Sequence, residues 1–295
     1  MAAWLRVRAL GGVFVLRVED LDPPRVVPGA EGRILADLGW LGLDWDEGPD
    51  VGGAFGPYRQ SERHDLYDAA LLRLEEAGNL YPCTCSRTEI ARIASAPHAG
   101  EGGPVYPGWC RDPANRKAGR VPALRLRIPE GPEAVVSFVD GFEGPVTEDV
   151  AAAVGDFVLK RVDGLYAYQL AVVVDDLAMG ITEVVRGADL LDSSARQILL
   201  ARMLGGTPPA FAHVPLVLGP DGERLAKRHQ SFVKGTTVAE LRAAGLGAQE
   251  ILGVLAKGLG LGEGTPLTVG QVLELARREG LRPRGPWVMP EGWLR

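Results

Sequence analysis

Three cysteines sit close together in this chain of 295 residues. Cys83-Thr84-Cys85 places two thiols side by side, and Tyr106-Pro107-Gly108-Trp109-Cys110 supplies a third in a turn-rich stretch. Thiolates at such spacing suit zinc, which takes four tetrahedral ligands, mostly sulfur or nitrogen. The fourth ligand would be His98 or Tyr106, and general ligand chemistry favours the imidazole over an unusual phenolate. The alternative is three reduced cysteines packed as small hydrophobes. With no general base nearby, a bound metal would be structural rather than catalytic.

Two further sets of residues could carry chemistry. Gly222-Glu223-Arg224-Leu225-Ala226-Lys227-Arg228-His229 is a short basic loop after the turn Gly219-Pro220-Asp221-Gly222. Such a loop can close over a triphosphate, where Lys and Arg neutralise the charge that develops during transfer. A solvated basic loop is the commoner case. Glu19 and Arg186 each follow an apolar, strand-like run, and Arg186 precedes Gly187. A guanidinium held at the mouth of a crevice can grip a carboxylate bidentately. Together the two would match the ammonium and a carboxylate of an amino acid, whereas any arbitrary pair of charges defaults to unrelated surface groups.

The elements that must position these groups follow from periodicity. Residues 1–11 read as the later part of a helix stopped by Gly11-Gly12, and 13–18 as a strand leading to Glu19-Asp20-Leu21-Asp22-Pro23-Pro24. Ile34, Leu35, Leu38 and Leu41 mark a helix over 29–41. Ser61 is placed to open another, with Leu66, Ala70, Leu71 and Leu74 on its buried side and Gly78 at its end. Residues 121–160 alternate in strand fashion, and Asp163-Gly164 marks a hairpin turn. The continuous apolar run Leu170 to Val174 reads as a buried strand ending in Asp175-Asp176. Residues 182–185 form a second strand, and Ser193 or Ser194 caps a helix to Met203. Val214 to Leu218 is a short strand, and the tail from Thr237 is helical.

Composition is that of a globular protein, with 46% hydrophobic and 24% charged residues and a net charge of -6. The acidic balance leaves room for a local basic surface between Arg111 and Arg127. No apolar run is long enough for a membrane span, no signal-peptide core is present, and the unpaired cysteines suit a reducing compartment. The cytoplasm is the expected location, without membrane partners and as a monomer.

The same residues fall in the order of a known family. Leu16-Arg17-Val18-Glu19-Asp20-Leu21-Asp22 resembles the R-I-E-D-x-D strand end of class I glutamyl-tRNA synthetases. Tyr58-Arg59-Gln60-Ser61-Glu62-Arg63, Ala167 through Asp176 and Val185 through Leu191 also fit them, and Arg224-Leu225-Ala226-Lys227-Arg228 looks like the K-M-S-K-S loop. The resemblance runs to about residue 235. The short helical tail, and cysteines with a tyrosine three residues before the last one, are similar to the glutamyl-queuosine tRNA(Asp) synthetases. That resemblance implies a zinc site of Cys83, Cys85, Tyr106 and Cys110, in place of His98.

It also implies an α/β, Rossmann-like class I catalytic domain split into residues 1–82 and 151–235. A zinc-bearing insertion occupies 83–150 and a helical subdomain 236–295. The implied reaction activates glutamate with ATP and Mg²⁺ and esterifies it onto queuosine at the wobble position of tRNA(Asp). Glu19 would hold the α-ammonium, Tyr168 and Arg186 the carboxylate, and Lys227 the ATP phosphates as the catalytic cation. The family carries a strand and an H-x-G-H loop ahead of its first helix. Here the chain opens in that helix, and His64, His98, His213 and His229 lie far downstream. The expectation is a longer native protein and feeble adenylate formation by residues 1–295 alone. Arg224 and Ala226 replace the loop's first lysine and its serine, which weakens loop closure. The competing functions are a truncated glutamyl-tRNA synthetase and an inactive, zinc-stapled tRNA-binding protein.

Overall fold

The computed structural model describes residues 1–93, 105–219, 237–283 and 285–288. Helix α1 (Ala2–Leu10) buries Trp4 and Leu5 and stops at Gly11, whose φ of 68° is the left-handed cap a glycine tolerates. Helix α2 spans Ala30–Trp40 and α3 spans His64–Glu76, both near their predicted positions. Their faces differ from the expected stripes. Ile34 and Leu66 are exposed, and Tyr67 joins Ala70, Leu71 and Leu74 in the core instead.

The predicted strand over 13–18 is not a regular strand. It is an extended segment with two isolated parallel bridges, Val15 to Glu47 and Val18 to Arg59, too few to make a ladder. Ser61 does not cap α3 either. It sits in the 3₁₀ turn Gln60–Glu62, and its backbone N–H and hydroxyl both donate to Asp20, at 2.9 and 2.6 Å.

The middle of the chain is antiparallel. Strand β1 (Leu80–Cys83) leads to the short helix α4 (Arg87–Ile93), and 3₁₀ turns follow at Trp109–Arg111 and Pro113–Asn115. Strand β2 (Ala123–Leu126) then lies between β1 and β5 (Val158–Lys160). Between them, β3 (Val135–Asp140) and β4 (Gly144–Asp149) form a hairpin, closed by helix α5 (Val150–Ala153). The predicted turn at Asp163-Gly164 is present, with Arg161 N–H bonded to the Leu165 carbonyl at 2.8 Å.

The largest correction concerns the stretch from Leu170 to Val174. It is part of helix α6 (Tyr168–Ala178), not a strand. Leu170 through Asp176 are all buried, so the helix is covered on every side along these two turns. An apolar run of this length cannot be assigned by periodicity alone. Strand β6 (Glu183–Gly187) then pairs in parallel with β7 (Ala210–Val214), with Arg186 directly opposite His213. Helix α7 (Leu191–Met203) begins before Ser193 and Ser194, so neither caps it; both are buried in its first turn.

Strand β8 (Val217–Leu218) pairs in parallel with β9 (Trp287–Val288). The tail contributes α8 (Val238–Ala243), α9 (Ala248–Gly258) and α10 (Val269–Glu279), and the side chains of Thr237 and Thr268 close capping boxes on α8 and α10. Two main cores result. One packs α3, α6 and α7 against residues of β2, β3, β5 and β7. The other joins Trp4 and Leu5 of α1 with Leu41 and Leu43 to the tail residues Leu241, Ile251, Leu252 and Val272. No described helix is long and apolar enough to cross a membrane.

Candidate active site and metal centre

A crevice of about 1370 Å³ opens beside α6. Glu19, Asp20, Asp22, Gln60 and Tyr168 line one part, and Cys85, Arg87, Arg120 and Arg125 another. Backbone bonds fix Glu19 here. The Val18 N–H donates to the Tyr58 carbonyl at 2.8 Å, and the Gln60 N–H donates to the Val18 carbonyl at 3.0 Å.

Behind Glu19 lies a charge network that joins three of the sequence segments. Arg17 donates to Asp176 at 2.8 Å and Glu19 at 3.3 Å, and its Nε lies 3.6 Å from Asp175. Burial opposes the Arg17 charge, yet Asp176, Glu19 and Asp175 together hold its pKa above the ordinary value. Burial pushes the Asp176 carboxyl upward, against the pull of Arg17. Asp175 is fully buried and accepts from Arg63 at 2.6 Å, Gln60 at 2.8 Å and the Tyr67 hydroxyl at 3.0 Å. This carboxylate therefore locks α6 to the segment that backs Glu19. Tyr168 is the first residue of the helix so anchored.

Arg186 is half-buried and is not among the residues lining the crevice; it lies within electrostatic reach of Tyr168, Asp176 and Glu19. Its donors meet His213 Nε2 at 3.0 Å, Gln197 Oε1 at 2.7 Å, Ser194 Oγ at 2.9 Å and the Leu190 carbonyl at 3.2 Å. Phe211 lies beneath the guanidinium, 4.9 Å from its carbon to the ring centre. None of these partners is a carboxylate. Arg17, Arg63 and Arg111 by contrast all reach a carboxylate. Burial lowers the Arg186 pKa, only partly offset by Tyr168, Asp176 and Glu19. A guanidinium in such a socket gains most from an incoming carboxylate.

The cysteines converge. Cys83, Cys85 and Cys110 present their sulfurs within 4.8 Å of one another, and Cys85 and Cys110 are 3.4 Å apart. The Tyr106 hydroxyl stands among them, 3.3 Å from Cys83 and 3.7 Å from Cys85. Ligands at Zn–S distances of about 2.3 Å stand about 3.8 Å apart in a tetrahedron, so three sulfurs and one oxygen fit a single ion. The Arg125 guanidinium lies 4.0 Å over the Tyr106 ring. Burial pushes the Cys85 thiol up to about 12. At Cys110 burial acts the same way, but hydrogen bonding to Tyr106, Thr84 and Cys85 outweighs it and brings the thiol to about 7.

The basic stretch from Arg111 to Arg127 is not a free cationic face. Arg111 is paired with Asp156 at 2.7 Å, Arg120 with Glu89 at 2.8 Å, and Lys117 also with Glu89. Arg116 donates to the Cys110 carbonyl at 3.0 Å and Arg125 to the Asp156 carbonyl at 2.6 Å. Lys227 with its loop, and His98, lie outside the described residues. Sequence reasoning gave no role to Arg17 or Asp175, although both stand in the quoted motifs. It also passed over Gln197, Asp140 and His213, whose signal is only their place behind Arg186.

The family described as class I tRNA synthetases (E and Q), catalytic domain, matches residues 1–255. A glutamyl-Q tRNA(Asp) synthetase from Symbiobacterium thermophilum is 53% identical over 263 residues, 87% of this chain and 79% of that protein. One from Nocardia farcinica is 46% identical over 301 residues, covering 100% of this chain and 88% of that protein. The chain belongs to the glutamyl-Q tRNA(Asp) synthetase family. It is thus a ligase of the synthetase class, with a class I α/β catalytic domain. Among solved structures, a glutamate tRNA ligase from Elizabethkingia meningosepticum in complex with its amino acid superposes with a TM-score of 0.79 at 26% identity. That match covers 99% of this chain and 63% of the ligase, so the chain spans under two thirds of its length.

Proposed function

We propose that the protein activates glutamate with ATP and transfers it to the cyclopentenediol of queuosine at the wobble position of tRNA(Asp). The observation that carries the reading is the Arg186 socket of non-carboxylate partners, within electrostatic reach of Tyr168 and Glu19. Glu19 receives the α-ammonium, while Tyr168 and Arg186 receive the carboxylate. Glutamine would leave the Arg186 charge unmatched, which gives discrimination without an editing step. Lys227 neutralises the ATP phosphates, with Mg²⁺ accompanying the nucleotide. The names of the relatives support queuosine-containing tRNA(Asp) as the acceptor.

Cys83, Cys85, Tyr106 and Cys110 are the set we assign to zinc, supported by the convergence of their donor atoms. Held by these residues, such an ion would cross-link strand β1 to the 3₁₀ turn that carries Cys110, on a face reached by the crevice through Cys85. We read residues 1–82 and 151–235 as the two halves of the catalytic domain, 83–150 as the zinc-bearing insertion and 236–295 as a helical subdomain. The enzyme works as a cytoplasmic monomer in this reading.

The test is charging with radiolabelled glutamate and ATP of three tRNAs: tRNA(Asp) with queuosine, tRNA(Asp) without it, and tRNA(Glu). Label on the first alone is the expected result, at a feeble level for residues 1–295 by themselves. Label on tRNA(Glu) would make the protein a truncated glutamyl-tRNA synthetase and overturn the proposal.

A further inference from the structure

Behind Arg186 lies a buried pair with no part in the reaction as described so far. His213 and Asp140 both have completely buried side chains, and His213 Nδ1 is 2.6 Å from Asp140 Oδ2. Asp140 Oδ1 accepts three backbone N–H groups, from Phe142, Glu143 and His213, each at 3.0 Å. Those three donors fix the carboxylate and leave Oδ2 aimed at the imidazole.

The far side of the ring fixes its protonation. Arg186 Nε lies 3.0 Å from His213 Nε2. A guanidinium Nε carries one hydrogen and no available lone pair, so it can only donate. His213 Nε2 must therefore accept, and the imidazole proton sits on Nδ1, donated to Asp140. Ser194 is consistent with this: its hydroxyl accepts from Arg186 at 2.9 Å and lies 3.3 Å from His213 Nε2, where it can donate in turn. An imidazolium would present a second donor to Arg186 and break the contact.

We propose that Asp140 and His213 act as positioning residues that select one imidazole tautomer and thereby aim the Arg186 guanidinium at the glutamate carboxylate. Asp140 orients the ring, the ring accepts from Nε, and the fork of Arg186 is held by Gln197, Ser194 and Leu190 on its two other nitrogens. The whole relay is uncharged apart from Asp140 and Arg186. It rigidifies the reader without pairing its charge, which stays available to substrate. The parallel register that sets Arg186 against His213 is what brings the two together.

The proposal rests on the reading of Arg186 as the glutamate reader, and its test separates the two. Asp140→Asn is isosteric. The three backbone donors would hold its amide oxygen where Oδ1 now lies, so its NH₂ must face His213 Nδ1. The ring then accepts at Nδ1 and carries its proton on Nε2, donor against donor with Arg186. Glutamate Kd by calorimetry and glutamate KM in charging should rise by about tenfold or more, the loss expected for a misaligned charged hydrogen bond. The preference for glutamate over glutamine should fall with them, while the ATP KM stays unchanged, a split that general loosening would not give. His213→Gln, which keeps an acceptor for Arg186 and a donor for Asp140, should hold the preference; His213→Leu should lose it. This pair decides the matter if Asp140→Asn does not fold. Arg186→Gln is the control. If it abolishes glutamate selectivity while folded Asp140→Asn and His213→Leu retain it, the relay is refuted and the function stands. If Arg186→Gln leaves selectivity intact, both fall.

Discussion

Asp175→Ala tests the organising role of the buried carboxylate. Its side chain is fully buried against an Arg63 side chain only 1% exposed. Removing it strands that guanidinium in the core and leaves the Tyr67 hydroxyl and the Gln60 amide short of an acceptor. Breaking one side of a buried ion pair costs about 3–5 kcal/mol, and each orphaned donor adds about 1 kcal/mol or more. With an unfolding entropy of about 2.1 cal/mol/K per residue, a chain of 295 residues loses about 6 °C in Tm for each ~4 kcal/mol. Thermal melts followed by circular dichroism should therefore show a drop of at least that size. Such a loss is a large part of a typical stability of about 5–15 kcal/mol. The double variant Asp175→Ala/Arg63→Met should recover most of it, because the stranded charge, not the missing carboxylate, carries the larger penalty. A single variant that melts within 2 °C (about 1 kcal/mol by the same scaling) of the unaltered protein would refute the reasoning. So would a double variant no better than the single one. Glutamate affinity should fall in Asp175→Ala as well, since the lock sets where α6 presents Tyr168.

Further outcomes follow from other sites. Metal analysis should find one zinc per chain, reduced well below stoichiometric in Cys110→Ser and less so in Tyr106→Phe; retention in Cys110→Ser would remove that sulfur from the ligand set. Glu19→Gln removes the charge offered to the α-ammonium and should raise the glutamate KM by about tenfold at unchanged ATP KM, as expected for a lost charged contact; equal KM values would free Glu19 of that role. Asp140 is buried, which by itself would raise its pKa, but the N–H groups of His213, Phe142 and Glu143 bring it below the ordinary 3.8. A carboxylate lowered on folding contributes stability that is present above pH 4 and lost as pH falls through its folded value. Urea midpoints measured downward from pH 5 should show this loss, and Asp140→Asn should flatten it; parallel curves for the two proteins would count against the assignment.

The sequence by itself determined the local chemistry. Cys83, Cys85, Tyr106 and Cys110 were readable as one metal set once the spacing was compared with a family, and the structure brings their donors together. The ends of α1 and α3, and the helical tail, followed from glycine stops and apolar spacing, which act over a few residues. Tertiary structure decided the rest. Leu170 to Val174 looked like a strand because burial on all sides erases the period that would distinguish a helix. Ser61 and Ser194 looked like caps, but Asp20 and Arg186 claim their hydroxyls from across the fold. The cations from Arg111 to Arg127 looked like a patch because their partners Glu89 and Asp156 are distant in sequence. By residue type and spacing alone, Arg186 fits a surface charge as well as an anion grip. What settles its surroundings is the β6–β7 register, which sets His213 opposite it, and helix α7, which brings Ser194 and Gln197 to the same guanidinium. Residue type and spacing can nominate a charged group. Only the walls around it, assembled from distant segments, determine whether its charge is already matched or still open to a substrate.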